Sequence, residues 1–112
     1  AVLVNGASFS TTSELLSVLA CNTRAVFVGE EGGGAFGGNC SGPTPTLELP
    51  HSRIRVDIPL VRYDMAVTGP RPRDRGLIPD IEVKRGWNAL QGEDPELNAA
   101  ARWIREAYSQ RP

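Results

Sequence analysis

A chain of 112 residues, 40% hydrophobic and 22% charged with a formal net charge of -1, has room for one domain with one modest core. Near-neutral charge excludes the electrostatic footprint of a nucleic-acid or anionic-membrane partner, and no apolar run approaches the roughly 20 residues that span a bilayer. Two cysteines, Cys21 and Cys40, leave one disulfide and two free thiols equally open; with His51 as the single histidine they make a poor zinc set, so no metal and no cofactor is expected.

Residues 1–5 are almost all apolar, as in a strand buried on both faces of a parallel sheet. The chain opens directly in this strand, with no signal peptide ahead of it, which suggests a piece of something longer. The turn Gly6-Ala7-Ser8-Phe9-Ser10 is rich in small residues and leads into a helix. Thr11 and Glu14 have capping-box spacing, which starts the helix just after Thr11. Leu15, Leu16, Val18, Leu19 and Ala20 give it a broad apolar face, and Asn22 is a fair terminator. Residues 24–29 read as a second buried strand, and connections this short imply a right-handed parallel crossover.

A helix entered from a strand presents unpaired N–H groups with partial positive charge. A hydroxyl held there lies beside donors that stabilise a developing oxyanion. Ser10 is the candidate nucleophile on this ground. Serine and threonine ahead of a helix are usually caps, but Thr11 fits the cap position and leaves Ser10 free for another role.

The stretch from Glu30 to Asn39 holds five glycines in seven residues, from Gly32 to Gly38. It reads either as a loop whose backbone lies close to a ligand or as a flexible surface connection. It lacks the Gly-Lys-Ser/Thr ending of a phosphate loop. Leu47 and Leu49, then Ile54, Val56 and Ile58, alternate with polar residues around Pro50-His51-Ser52, which predicts a hairpin with His51 solvated at its tip. Val61, Tyr63, Met65 and Val67 continue the alternation, so a hairpin or meander is expected from about residue 46 to residue 67. Residues 69–76 are a charged, turn-rich loop with Arg71, Arg73 and Arg75, and residues 78–83 are extended. Asp94 caps the last helix and Pro95 opens it, with Leu97, Ala100, Ala101, Ile104 and Tyr108 along one face.

Four stretches carry a resemblance: residues 2–14, Arg24-Ala25-Val26-Phe27-Val28-Gly29-Glu30, the glycine-rich loop, and Arg75-Gly76-Leu77-Ile78-Pro79-Asp80-Ile81-Glu82-Val83. In this order they resemble the catalytic core of the C-terminal processing (tail-specific) serine peptidases, related to the tricorn protease core. Each motif alone is weak; the four in order, over roughly residues 2–83, are specific. The resemblance implies an α/β fold with a crotonase/Clp-protease-like core, of which residues 1–112 are the C-terminal part of the catalytic domain. It implies endopeptidase activity through an acyl-enzyme on Ser10, with Thr11 N–H as one oxyanion donor. It also has Gly32, Gly33 and Gly34 bring backbone close to a peptide substrate. A periplasmic or secreted location goes with the family.

The spacing to Glu14 is one residue longer than in the processing peptidases, which leaves Ser8 and Thr11 as lesser candidates. The family's lysine base falls near Ala35, where the loop holds no Lys or Arg, and the single lysine, Lys84, lies beyond the Pro-Asp motif. The Ser–Lys dyad is therefore absent. A histidine base, as in the tricorn arrangement, would come from an earlier part of the domain. Glu30 and Glu31 read as structural or loop-solvated, and Asp74 stands one position from where tricorn-like relatives keep an acidic group.

Two further classes remain open. The same fold has relatives that bind ligands rather than cleave peptides. The chain can also complete a sheet for another chain: apolar strands need neighbours, and an open apolar edge drives association. Contact through residues 1–29 with a second copy, or with the N-terminal remainder of the parent, is therefore expected.

Overall fold

Val2, Leu3 and Val4 are β-formers held between the chain start and a turn, and they make β1 (Val2–Val4). In the computed structural model, which describes residues 1–69 and 71–109, β1 lies parallel to β2 (Phe27–Gly29), with Val2 opposite Phe27 and Val4 opposite Gly29. The crossover between them is α1 (Thr11–Asn22). The sheet gains a third parallel strand, β7 (Ile81–Glu82), on the far side of β2, so the order is β1-β2-β7 and β1 is an edge.

Alternation along the strands divides the core into two layers. Val4 and Phe27 point to one face, where Leu16 of α1, Phe36, Val67 and Leu77 complete a cluster. Val28 points to the other face and meets Ala99 and Ala100 of α3 (Pro95–Ser109). Asp94 Oδ1 accepts from Leu97 N–H at 2.9 Å, so α3 begins with the expected cap.

Several expected faces are turned. Leu3 is 44% exposed, so β1 is covered on one face only. On α1 the buried residues are Ser13, Leu16 and Ser17, while Leu15 and Val18 are exposed. The buried side of α3 is Glu96, Ala99 and Ala100; Leu97, Ile104 and Tyr108 face outward. The small side chains let α3 approach Val28 closely, which its bulky residues would prevent. A short helix, α2 (Trp87–Leu90), precedes α3.

The middle of the chain departs from a single meander. β4 (Thr46–Glu48) and β5 (Arg55–Asp57) form the expected hairpin, with Leu47 opposite Val56 and His51 exposed in the turn. The next segment leaves it: β6 (Tyr63–Asp64) pairs antiparallel with β3 (Gly38–Asn39), at the end of the glycine-rich loop. That partner was not legible because a glycine and an asparagine carry no strand pattern. The hairpin projects from the body. The radius of gyration is 18.1 Å, against about 13 Å for a compact domain of this size. No helix among the described residues is long and apolar enough to cross a membrane.

Candidate functional site

The carboxyl ends of β1, β2 and β7 open onto three loops on one side of the sheet, and this is where ligands bind in open parallel sheets. The first loop is residues 5–10. It is held by its own polar groups: Ala7 N–H donates to Asn5 Oδ1 at 2.9 Å, and Ser8 N–H donates to the Asn5 carbonyl at 2.8 Å. Ser8 is bonded through its N–H, its carbonyl and its Oγ as acceptor. Its Oγ accepts from Asn5 N–H, and its carbonyl accepts from Ser13 Oγ and from Gly33 N–H. Ser8 thereby holds the turn.

Ser10 is the helix N-cap residue, with φ 56° and ψ -133° and no side-chain cap hydrogen bond. This differs from the expected box, in which Thr11 is the cap. The helix begins at Thr11, and Glu14 accepts from Asn39 Nδ2 at 2.7 Å instead of closing back on the cap. Arg53, also at positive φ (59°), lies in the hairpin turn. Ser10's ψ lies far from the left-handed helical region that non-glycine residues reach in turns. Its side chain is exposed. Among the described residues, Ser10 Oγ and Thr11 N–H have no hydrogen-bond partner.

The glycine-rich loop is the second wall. It is pinned rather than flexible: Gly32 N–H donates to the Leu77 carbonyl, Phe36 N–H to that of Arg75, and Gly37 N–H to that of Arg73. Gly33 lies so close to Gly6 that a Cβ there would overlap the Gly6 carbonyl oxygen. A Cβ at Gly34 would overlap Ser13 Oγ and come within 3.2 Å of Phe9 Cα. These glycines are needed for packing against the turn that carries Ser10, and two of the three N–H groups of Gly32–Gly34 are engaged within the chain.

The arginines of the charged loop are clamps, a role the sequence reading missed. Arg75 pairs with Glu31, whose Oε1 accepts from Arg75 Nε at 2.9 Å and from Gly76 N–H at 3.1 Å. This hydrogen bonding, more than simple charge attraction, holds the Glu31 carboxyl below the usual glutamate range, and it raises Arg75 in return. Arg73 donates to the carbonyls of Val67, Gly37 and Met65. Arg71 donates to Ile78 O and Asp80 Oδ1, and Asp80 Oδ2 accepts from Phe27 N–H at 2.8 Å. The signal for Asp80 was its place in the Pro-Asp motif, which reads as turn chemistry without its distant partner.

At the third loop Glu96 is 3% exposed; its Oε1 accepts from Arg85 Nε at 2.6 Å, and Oε2 has no partner among the described residues. The bond and the charge of Glu96 raise the Arg85 guanidinium further. Arg85 N–H donates to Glu30 Oε1.

The remaining candidates stand apart from Ser10. His51 is at the hairpin tip, and Lys84 is exposed beside Glu82 at 3.7 Å. Asp74 lines an open cleft of about 640 Å³ with Ala35, Asn39, Leu60 and Tyr63. Cys21 and Cys40 are free thiols. Comparison with protein-family models, with curated proteins and with solved structures finds no match for this chain in any of the three.

Proposed function

We propose that this chain carries the nucleophile of a serine peptidase and forms the C-terminal part of a crotonase/Clp-protease-like catalytic domain. One observation carries the reading: Ser10 is held at a helix entrance in a backbone conformation that serine avoids, with its hydroxyl uncommitted. Such strain, of order 1–3 kcal/mol, persists where a function needs it, and a sharp strand-to-helix turn is a known way to expose a nucleophilic serine.

In this reading Ser10 Oγ attacks the carbonyl carbon of the scissile bond and its proton passes to a base. The oxyanion accepts a hydrogen bond from Thr11 N–H, in line with the positive end of α1. The base returns the proton to the leaving amine, and water then cleaves the acyl-enzyme. No carboxylate, imidazole or amine among the described residues bonds Ser10, so the base comes from outside this chain, from a preceding segment of the parent or a second copy. In this reading the peptide lies along the backbone of Gly32–Gly34, of which Gly34 stands against Ser13 Oγ and Phe9 Cα in the turn that carries Ser10.

The same missing base favours a second reading, a non-catalytic peptide-binding module. A fluorophosphonate probe separates the two in the parent protein. Rapid labelling that Ser10→Ala abolishes, with peptide hydrolysis falling by several orders of magnitude, supports the peptidase. Unchanged hydrolysis in Ser10→Ala refutes it. Peptide binding with no labelling of the native serine supports the module.

A further inference from the structure

We propose that the projecting hairpin is a self-association arm, in which β5 pairs antiparallel with β5 of a second copy of this chain. The arm exposes a continuous apolar face. Leu47, Leu49, Ile54, Val56, Ile58 and Leu60 are each between 37% and 65% exposed. The register that sets Leu47 opposite Val56 puts the strand residues among them on one side of the hairpin. Pairing at the β5 edge sets the two apolar faces on the same side of the joined sheet and leaves them open, so the contact rests on the strand edge and its charges.

The main chain selects which edge is open. Leu49 N–H donates to the Ile54 carbonyl, and Ile58 N–H donates to the Pro45 carbonyl. Ile54, Val56 and Ile58 therefore turn their main-chain groups toward β4, and Arg55 and Asp57 turn theirs to the outer edge of β5. Arg55-Val56-Asp57 is self-complementary about Val56. A twofold axis through the Val56 pair places Arg55 of one copy opposite Asp57 of the other, and Ile54 opposite Ile58. Both Arg55–Asp57 pairs are then hydrogen-bonded pairs of the new ladder, four main-chain bonds in all, with opposite charges side by side. Pro59 has no N–H to continue the ladder, which ends the pairing at this length. The result is a four-stranded antiparallel sheet in which both strands next to the axis lose their open edge. This is an isologous contact with a second copy, separate from the β1 edge and independent of the role of Ser10.

Charge exchange tests it directly on the 112-residue chain. The native chain should sediment at twice its mass of 12.1 kDa at micromolar concentration. Arg55→Asp sets Asp against Asp57 across the axis twice and should raise the dimer dissociation constant at least tenfold. The double exchange Arg55→Asp with Asp57→Arg restores opposite charges and should recover the native constant. Circular dichroism of each variant should match the native chain, because the contacts the exchanges remove, Arg55 with Glu48 and Thr46 Oγ1 with Asp57, are surface pairs. Val56→Cys, in a non-hydrogen-bonded pair on the axis, should cross-link two copies on mild oxidation well beyond the background from Cys21 and Cys40. A native chain that stays monomeric at these concentrations, or a dimer that Arg55→Asp leaves intact and Val56→Cys does not cross-link, overturns the proposal.

Discussion

Replacing Ser10 by glycine should make this chain more stable while removing the hydroxyl of the proposed nucleophile. Ser10 sits at φ 56°, ψ -133°, outside the regions open to residues with a Cβ. Holding a non-glycine residue in such a region costs about 1–3 kcal/mol. Glycine removes that cost and adds back about 0.5–1 kcal/mol through the greater freedom of the unfolded chain. The lost hydroxyl takes no cap bond with it, and glycine is an acceptable N-cap. The net gain is about 1 kcal/mol, which corresponds to a rise of roughly 4 °C in Tm for a domain near this size. Ser10→Ala keeps the Cβ and the strain, so its Tm should stay within about 1 °C of the native value by the same conversion. Thermal unfolding of the three chains, followed by calorimetry at one pH and concentration, separates these outcomes. A Ser10→Gly chain that melts below Ser10→Ala would mean that no strain is stored at residue 10, and the argument for a presented nucleophile would fall with it.

The other expectations concern what holds that turn in place. Glu31 titrates below an ordinary glutamate because Arg75 and Gly76 N–H bond its carboxylate. Its depressed value stabilises the fold above the ordinary glutamate value of 4.5 and is lost as pH falls through the lower folded value; melts from pH 7 to pH 3 should therefore lose more Tm in the native chain than in Glu31→Gln, and equal losses would refute the coupling. A Cβ at Gly33 overlaps the Gly6 carbonyl, whereas Gly6 itself has open space around it. Gly33→Ala should destabilise by about 2 kcal/mol and Gly6→Ala by far less, as read from denaturant midpoints at constant slope; equal effects would show that the loop is not pinned on the turn.

What the sequence determined by itself was local. The β1–α1–β2 order, the hairpin about His51 and the Asp94–Pro95 start of α3 follow from turn residues, caps and short-range alternation, which act within a few positions of one another. Ser10 as the residue at the helix entrance was legible for the same reason, although the cap and the fate of Glu14 were not. Tertiary contacts decided the rest. Apolar periodicity marked Leu97, Ile104 and Tyr108 as the inner face of α3, but the sheet accepts the small side, because Ala99 and Ala100 fit against Val28 where larger residues cannot. The glycine-rich loop reads equally as a ligand-facing backbone or a flexible connection until Gly33 is seen against Gly6 and Phe36 N–H against the Arg75 carbonyl. Asp80 and the three loop arginines look like surface charge because their partners lie as far as 53 residues away along the chain, and only folding brings Phe27 N–H to Asp80. Ser10's strained backbone belongs to the same class: Asn5 and Gly33 hold Ala7 and Ser8 ahead of it and Glu14 N–H bonds its carbonyl on the helix side, in a conformation that no local preference for serine supplies.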